Sequence, residues 1–269
     1  MKGCDEKMTY NLHTHTKRCN HANGEDREYV EAAIEAGMEV LGFADHCPQF
    51  FPDTDYYSFF RMLPEQAHEY VESVRALQKE YQNDIRILLG FETEYYPKAY
   101  DALEAFMQTL HPDYLIMGQH FVGNEYDEGS FYAAEMGKRE GYLRHYVRQV
   151  KEGLSKGTFT YLAHPDIVWY CGSAAYYKHK MTELCRFALE HDIPLEFNML
   201  GLVNGRNYPE PAFWDIVSEV GNKVVIGCDA HDPRALLQND VYERCKTILK
   251  GHGITPVPFE EIVLRNEKL

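Results

Sequence analysis

Histidine and carboxylate residues stand close together at several points of this sequence. It has 13 histidines in 269 residues. One pair is His13-Thr14-His15, and Asp229-Ala230-His231 stands near the other end. Two such side chains, one residue apart, can both reach one cation where a strand turns into its loop. Imidazole and carboxylate donors together suit zinc, manganese or iron better than calcium or magnesium alone. The sequence therefore predicts a transition-metal centre.

Seven histidines and two carboxylates form the candidate ligand set. Each lies at or shortly after the end of a short apolar run, and the nine residues are His13, His15, His21, His46, Glu92, His120, His164, Asp229 and His231. Nine ligands are too many for one ion of ordinary coordination number, so they suit two or three ions that share a carboxylate. Glu92 is the candidate bridge, since no imidazole stands beside it. The other six histidines are interpreted as structural or surface residues.

Apolar runs and helical patterns alternate along the whole chain. The predicted strands are Met8–His13, Glu39–Phe43, Ile85–Phe91, Tyr114–Gly118, Phe159–Ala163, Leu195–Phe197 and Lys223–Gly227. The predicted helices are Asp26–Ala36, Pro64–Tyr81, Tyr100–Leu110, Lys138–Ser155, Met181–His191, Pro211–Val220 and Asp240–Gly251. Seven strand–helix units indicate a parallel α/β sheet. Without a linker they favour one barrel domain, residues 1–269, over two domains or an open doubly wound sheet. The carboxyl ends of barrel strands meet at one mouth, where active sites lie.

Composition excludes several classes of function. Lys and Arg number 27 and Asp and Glu 42, a net charge of −15, which argues against nucleic-acid and anionic-membrane partners. No apolar run is long enough to cross a bilayer. The polar start, residues 1–6, predicts no signal peptide. Seven cysteines without a Cys-x-x-Cys pair indicate reduced thiols, so a cytoplasmic location is expected. The oligomeric state stays open.

The ordered motifs carry a family resemblance. They are Asn11-Leu12-His13-Thr14-His15, Ala44-Asp45-His46, Gly90-Phe91-Glu92, Gly118-Gln119-His120, Ala163-His164-Pro165 and Cys228-Asp229-Ala230-His231. Together they resemble the PHP (polymerase and histidinol phosphatase) superfamily. Within it the chain looks most similar to the monofunctional histidinol-phosphate phosphatases of Gram-positive bacteria. The resemblance implies a distorted (β/α)7 TIM-like barrel with three divalent ions of zinc, manganese or iron.

The resemblance also implies how the ligands divide among the ions. One ion would be held by His13, His15, Glu92 and Asp229. The second would share Glu92 and take His120 and His164, and the third would take His21, His46 and His231. The implied activity is hydrolysis of the small phosphate monoester L-histidinol phosphate to L-histidinol and phosphate, a step of histidine biosynthesis. The expected route is in-line attack on phosphorus by a hydroxide that bridges two ions. Glu92 and Asp229 are the expected catalytic carboxylates of this route.

Three further polar residues are candidates for catalysis or substrate binding. Asp45, beside His46, is a candidate catalytic proton donor, and its alternative role is to orient a metal-binding imidazole. Arg206 could hold the phosphate bidentately or be a solvated loop residue. Asn198 could hydrogen-bond the substrate or cap the loop that follows it.

Aromatic residues crowd the loop after the second strand: Phe50, Phe51, Tyr56, Tyr57, Phe59 and Phe60. They could form a lid over a cationic, ring-bearing substrate, or pack the loop onto the barrel. The insertion Glu125–Glu135 is a second candidate lid. Cys19, Cys47 and Cys228 stand beside proposed ligands and are interpreted as small buried residues.

Two other functions stay open at this point. One is a different PHP-superfamily phosphoesterase, either a phosphotyrosine phosphatase or a phosphodiesterase or nuclease. The other is a non-catalytic metal-binding module, which would need closed coordination spheres.

Overall fold

A computed structural model describes residues 7–52 and 54–265. Within these ranges nine strands occur in chain order: β1 Tyr10–Asn11, β2 Val40–His46, β3 Arg86–Thr93, β4 Tyr114–Met117, β5 Phe121–Val122, β6 Phe131–Tyr132, β7 Phe159–Leu162, β8 Leu195–Asn198 and β9 Val224–Gly227. The helices are α1 Asp26–Ala36, α2 Pro64–Glu80, α3 Tyr100–Leu110, α4 Glu140–Leu154, α5 Ala174–Glu190, α6 Met199–Val203, α7 Pro211–Val220 and α8 Asn239–Gly251. The residues 1–6, which carry the signal-peptide prediction, lie outside the described ranges.

Seven of the strands form one parallel sheet in the order β1-β2-β3-β4-β7-β8-β9. Its two edges meet, because the His15 N–H donates to the Ala230 carbonyl at 2.9 Å and the Ala230 N–H donates to the His13 carbonyl at 3.1 Å. Between the same edges the Cys228 N–H donates to Asn11 Oδ1 at 2.9 Å. The predicted seven-stranded α/β barrel is thus confirmed.

Tyr114 fills the barrel below the mouth. It begins β4, and its hydroxyl lies 2.8 Å from the Leu12 carbonyl and 3.0 Å from that of Phe43. A Cβ on Gly42 or Gly90 would come within 2.3 or 2.4 Å of this side chain. Only glycine therefore leaves room for the ring at these two positions, and the closed interior gives the mouth a rigid floor.

The structure differs from the predicted elements mainly on the mouth side. β2, β3 and β8 run on through His46, Thr93 and Asn198, so two candidate ligands, His46 and Glu92, lie within strands rather than after them. The antiparallel pair β5–β6 and the short α6 were not predicted. The helix expected from Met181 begins at Ala174, where the Ser173 side chain caps it by accepting the Tyr176 N–H.

Most of the remaining core lies between the sheet and the surrounding helices. Among the described residues, no helix is long and apolar enough to span a membrane.

Candidate metal centre

Glu92 lies at the centre of the barrel mouth with only 1% of its surface exposed. A Cβ on Gly118, in the neighbouring strand's end, would lie 1.9 Å from Glu92 Oε1. The absence of a side chain at Gly118 therefore makes the space for this carboxylate. Five imidazoles have a ring nitrogen 2.8 to 3.7 Å from its two oxygens, namely those of His13, His15, His46, His120 and His164.

Asp229 is the second carboxylate of the centre. Its Oδ1 lies 3.1 Å from His15 Nε2 and 3.6 Å from His13 Nε2. Both Asp229 and His164 have left-handed backbone conformations, with φ values of 52° and 30°. Non-glycine residues rarely adopt such conformations, and they cluster at functional sites. The strands thus turn sharply where they deliver these two side chains.

His21 and His231 stand together at the outer edge of the centre. Their Nε2 atoms are 3.0 Å apart, while their Nδ1 atoms face the carbonyls of Cys19 at 2.7 Å and Asp229 at 3.0 Å. Two nitrogens bound to one tetrahedral zinc at about 2.0–2.1 Å would lie roughly 3.3 Å apart. The ring centroid of His46 is 5.3 Å from that of His21 and 6.3 Å from that of His231, so His46 lies beside this pair.

Several polar atoms of the centre have no hydrogen-bond partner in the described part of the chain, although they are buried. They are His13 Nε2, His15 Nε2, His46 Nδ1 and Glu92 Oε2, and all lie among the contacts around Glu92. Buried polar atoms are normally paired, so this convergent group fits a site that binds an ion or water. Nitrogen and carboxylate donors in this arrangement fit divalent transition-metal ions.

The charges of the centre favour a cation between these side chains. Burial lowers the pKa of His15, but the nearby carboxylates of Asp229 and Asp45 outweigh that effect and raise it to about 9. Burial raises the pKa of Glu92, yet the charges of His120 and His13 bring it well below its usual range. The carboxylates thus stay ionised and draw positive charge towards the imidazoles.

Two buried carboxylates behind the ligands were not predicted. Glu196 Oε1 lies 2.7 Å from His13 Nδ1, and its Oε2 accepts the His164 N–H at 3.0 Å. Glu94 Oε1 lies 2.8 Å from His120 Nδ1. Such partners fix the direction in which a ring presents its other nitrogen. Strand alternation could have indicated both residues. Glu94 lies two residues from Glu92, and Glu196 lies two residues from Asn198, so each points to the same side as that neighbour.

Asp45 is fully buried and is not among the residues that line the cleft beside the metal centre. Its Oδ1 accepts the His46 N–H at 2.8 Å and lies 3.4 Å from His15 Nδ1, while its Oδ2 accepts the Thr16 hydroxyl. Both oxygens thus face the protein, and this geometry fits the alternative, in which Asp45 orients His15. The proton-donor role stays a prediction.

Asn198 likewise faces inward and not into the cleft. Its Oδ1 accepts the Gly201 N–H at 2.8 Å and caps α6. Its Nδ2 donates to Glu196 at 3.0 Å and to Asp229 at 3.2 Å. These contacts fit the alternative interpretation, a helix cap that also holds Asp229. The contact of Asn198 with substrate stays a prediction.

A cleft of about 570 Å³ opens beside the centre. Arg206 lies on its wall, and Arg206 Nη1 donates to the Tyr208 hydroxyl at 2.7 Å. Phe60, Phe121 and Tyr132 form an aromatic wall. Of the aromatic loop after β2, only Phe60 lines the cleft, since most of its other rings pack against neighbouring rings or face solvent.

The three cysteines beside the ligands are buried, as expected. Burial raises the pKa of the Cys47 thiol to about 12, and Cys228 packs against the sulfurs of Met8 and Met199 at 3.6 and 3.7 Å. Protonated, packed thiols are poor nucleophiles. These residues therefore belong to the packing around the mouth.

Fold and site together define a class of protein, the seven-stranded α/β barrels whose mouth gathers imidazoles around a buried, shared carboxylate. The profile of the PHP domain matches residues 11–199. This chain belongs to the PHP-domain family. The resemblance seen in the motifs is thus confirmed.

Curated relatives extend this result over most of the chain. The chain is 30% identical to a probable histidinol-phosphatase of Deinococcus radiodurans, over 82% of this chain and 85% of that protein. It is 26% identical to a histidinol-phosphatase of Bacillus subtilis, over 81% and 92%. Its fold is similar to that of histidinol phosphate phosphatase from Lactococcus lactis, solved with zinc, L-histidinol and phosphate. There the TM-score is 0.69 at 21% identity, and the match covers 93% of this chain and 95% of that one.

Proposed function

We propose that this chain is a metal-dependent phosphomonoesterase that hydrolyses L-histidinol phosphate to L-histidinol and phosphate. One observation carries the proposal: the imidazoles and carboxylates of the mouth converge on Glu92 beside a cleft that also exposes Arg206. Histidinol-phosphatases at 30% and 26% identity, matched over four fifths of the chain, support this substrate.

The centre has donors for three divalent ions of zinc, manganese or iron. His13, His15, Glu92 and Asp229 would hold the first. Glu92, His120 and His164 would hold the second, and His21, His46 and His231 the third. When bound, such ions supply the activation of water and the positive charge that phosphoryl transfer requires. Nine donors shared among three ions leave coordination positions free for water and substrate, whereas a closed structural site has none.

The residues of the cleft would bind and orient the ester. Arg206 offers a planar guanidinium that can bind two phosphate oxygens at once, and its contact with Tyr208 limits its freedom. The faces of Phe60, Phe121 and Tyr132 suit the imidazole ring of the alcohol, because aromatic faces attract cationic and planar groups. A cleft of about 570 Å³ is suited to a small molecule.

The decisive test compares kcat/KM on three substrates after reconstitution with zinc, manganese or iron. L-histidinol phosphate should exceed p-nitrophenyl phosphate and bis-p-nitrophenyl phosphate by orders of magnitude. Equal or diester-favouring rates would refute the substrate assignment and redirect the search to phosphotyrosyl peptides and nucleotides. Stoichiometric metal binding with no turnover of any ester would identify a non-catalytic module.

Two arginine variants separate substrate binding from general charge. Arg206→Ala should raise KM by about 10–100-fold, the range expected for hydrogen bonds to a charged group of about 1.5–3 kcal/mol, and should leave the metal content unchanged. Arg148→Ala removes the same charge from an exposed position on α4, outside the cleft, and should leave KM unchanged. Equal KM values for the two variants would support the alternative interpretation, in which Arg206 is a solvated loop residue.

A further inference from the structure

Arg61 is a buried cation that joins two carboxylates from different segments. It precedes α2 and is 2% exposed. Its Nη1 donates to Glu94 Oε2 at 2.7 Å, and its Nη2 donates to Glu125 Oε2 at 2.6 Å. Glu94 follows β3, whereas Glu125 lies between β5 and β6. A planar guanidinium can satisfy both carboxylates at once, which a lysine ammonium cannot do with the same geometry.

One arm of this network reaches the metal centre. Glu94 Oε1 lies 2.8 Å from His120 Nδ1, and the Nε2 of the same ring lies 3.7 Å from Glu92 Oε1. Fixing one nitrogen of an imidazole fixes the direction in which the other nitrogen points. Arg61 therefore bears on the orientation of His120 through Glu94.

The other arm reaches the border of the cleft. Glu125 Oε1 accepts the Tyr56 hydroxyl at 2.8 Å, which ties the aromatic loop to the segment between β5 and β6. The guanidinium carbon of Arg61 also lies 4.3 Å from the ring centroid of Phe60, within the range of a cation–π contact. Phe60 lines the cleft, stacked at 5.8 Å on Phe121. Arg61 therefore supports the aromatic wall.

We propose that Arg61 is a positioning residue that holds His120 and the Phe60 wall in one arrangement, so that metal binding and substrate binding depend on the same side chain. The substrate-binding half rests on the proposed function, because it assumes that an ester occupies the cleft. A salt bridge that only stabilised the fold would not link these two properties. The two arms can be tested separately, because each ends in its own carboxylate.

Three variants divide the network, with metal retention in a chelator titration, KM and kcat measured for each. Glu94→Gln cuts the first arm and should weaken metal retention by about 10–100-fold, the usual cost of losing an outer partner of a ligand, with little change in KM. Glu125→Gln cuts the second arm and should raise KM several-fold with metal retention unchanged. Arg61→Lys should change both quantities.

Arg75→Lys is the matched control. Arg75 lies on α2, where its Nη1 donates to both oxygens of Asp113 at 2.9 Å, and it does not line the cleft. This variant should keep wild-type metal retention and KM. The proposal is overturned when Arg61→Lys matches Arg75→Lys in both measurements.

If circular dichroism shows that Arg61→Lys does not fold, Glu94→Gln and Glu125→Gln test the proposal by themselves. The proposal is then wrong if both variants change the same quantity, metal retention or KM, or if neither variant changes either quantity. Should the wild-type enzyme cleave p-nitrophenyl phosphate but not L-histidinol phosphate, the proposed function fails. The chelator titration, and KM for p-nitrophenyl phosphate, then still test Arg61.

Discussion

The metal centre has two sides that are built differently. On the deep side, His13, His15 and His164 are almost fully buried, and each has a ring nitrogen facing at least one carboxylate. At the rim, His21 is exposed and His231 half-buried, and backbone carbonyls hold their Nδ1 atoms. The deep side is thus fixed by ionised side chains, and the rim by the path of the loops.

The two sides also differ in the pKa values of their imidazoles. Burial and the charge of His15 lower the pKa of His231 to about 3, whereas that of His15 is raised to about 9. His15 must therefore release a proton to bind a metal, whereas His231 is already neutral near pH 7. We expect deep ions to be tightly held once bound, and the rim ion to exchange first.

Glu92→Ala should have the largest effect, because Glu92 contacts most of the deep side and His46 as well. Metal content and activity should fall together, by more than the roughly 10–100-fold that loss of an outer partner costs. Metal analysis and kcat/KM after reconstitution measure this. Glu72→Ala, an exposed glutamate of α2, is the control, and full activity of Glu92→Ala would refute the bridging role.

Glu196→Gln tests whether a carboxylate behind the deep side determines its affinity. The amide cannot carry the charge that faces His13 Nδ1 at 2.7 Å, so metal affinity should fall by about 10–100-fold. Chelator titration of the zinc-loaded protein measures the effect. Glu219→Gln, which changes an exposed ion pair with Lys178, should be neutral. Equal affinities of the two variants would show that the buried carboxylate serves folding alone.

His21→Ala should affect the rim alone. The variant removes one of the two Nε2 atoms that lie 3.0 Å apart and leaves every ligand of the deep side in place. We expect the loss of about one metal equivalent and a smaller decrease in kcat/KM than for Glu196→Gln, because only the ion proposed at the rim would be affected. Metal counting by mass spectrometry, with the exposed His68→Ala as control, decides this. Loss of all metal would contradict the division into two sides.

The deep side and the rim also differ in how far the sequence could predict them. The motifs identified the nine candidate ligands and the barrel, because strand ends are visible as apolar runs followed by polar residues. Glu94 and Glu196 were missed, because strand alternation indicates only the face on which each carboxylate lies. The imidazole that each one meets belongs to a distant segment. The space that Gly118 leaves for Glu92 depends on the register of two neighbouring strands. Contacts between distant segments, such as that of Arg61 with Glu125, have no local signature.

Asp45→Asn should have the smallest effect on activity, and its result distinguishes an orienting residue from a general acid. Asp45 faces His15, on the deep side, at 3.4 Å and accepts the His46 N–H at 2.8 Å, and asparagine can keep the second contact through its carbonyl oxygen. An orienting residue predicts a several-fold decrease in kcat and an unchanged shape of the pH–rate profile. A general acid would instead cost about 10²–10⁴-fold and remove one limb of that profile. Because both carboxylate oxygens accept hydrogen bonds inside the protein, we expect the smaller decrease in kcat. Loss of one limb of the pH–rate profile would instead support the proton-donor interpretation.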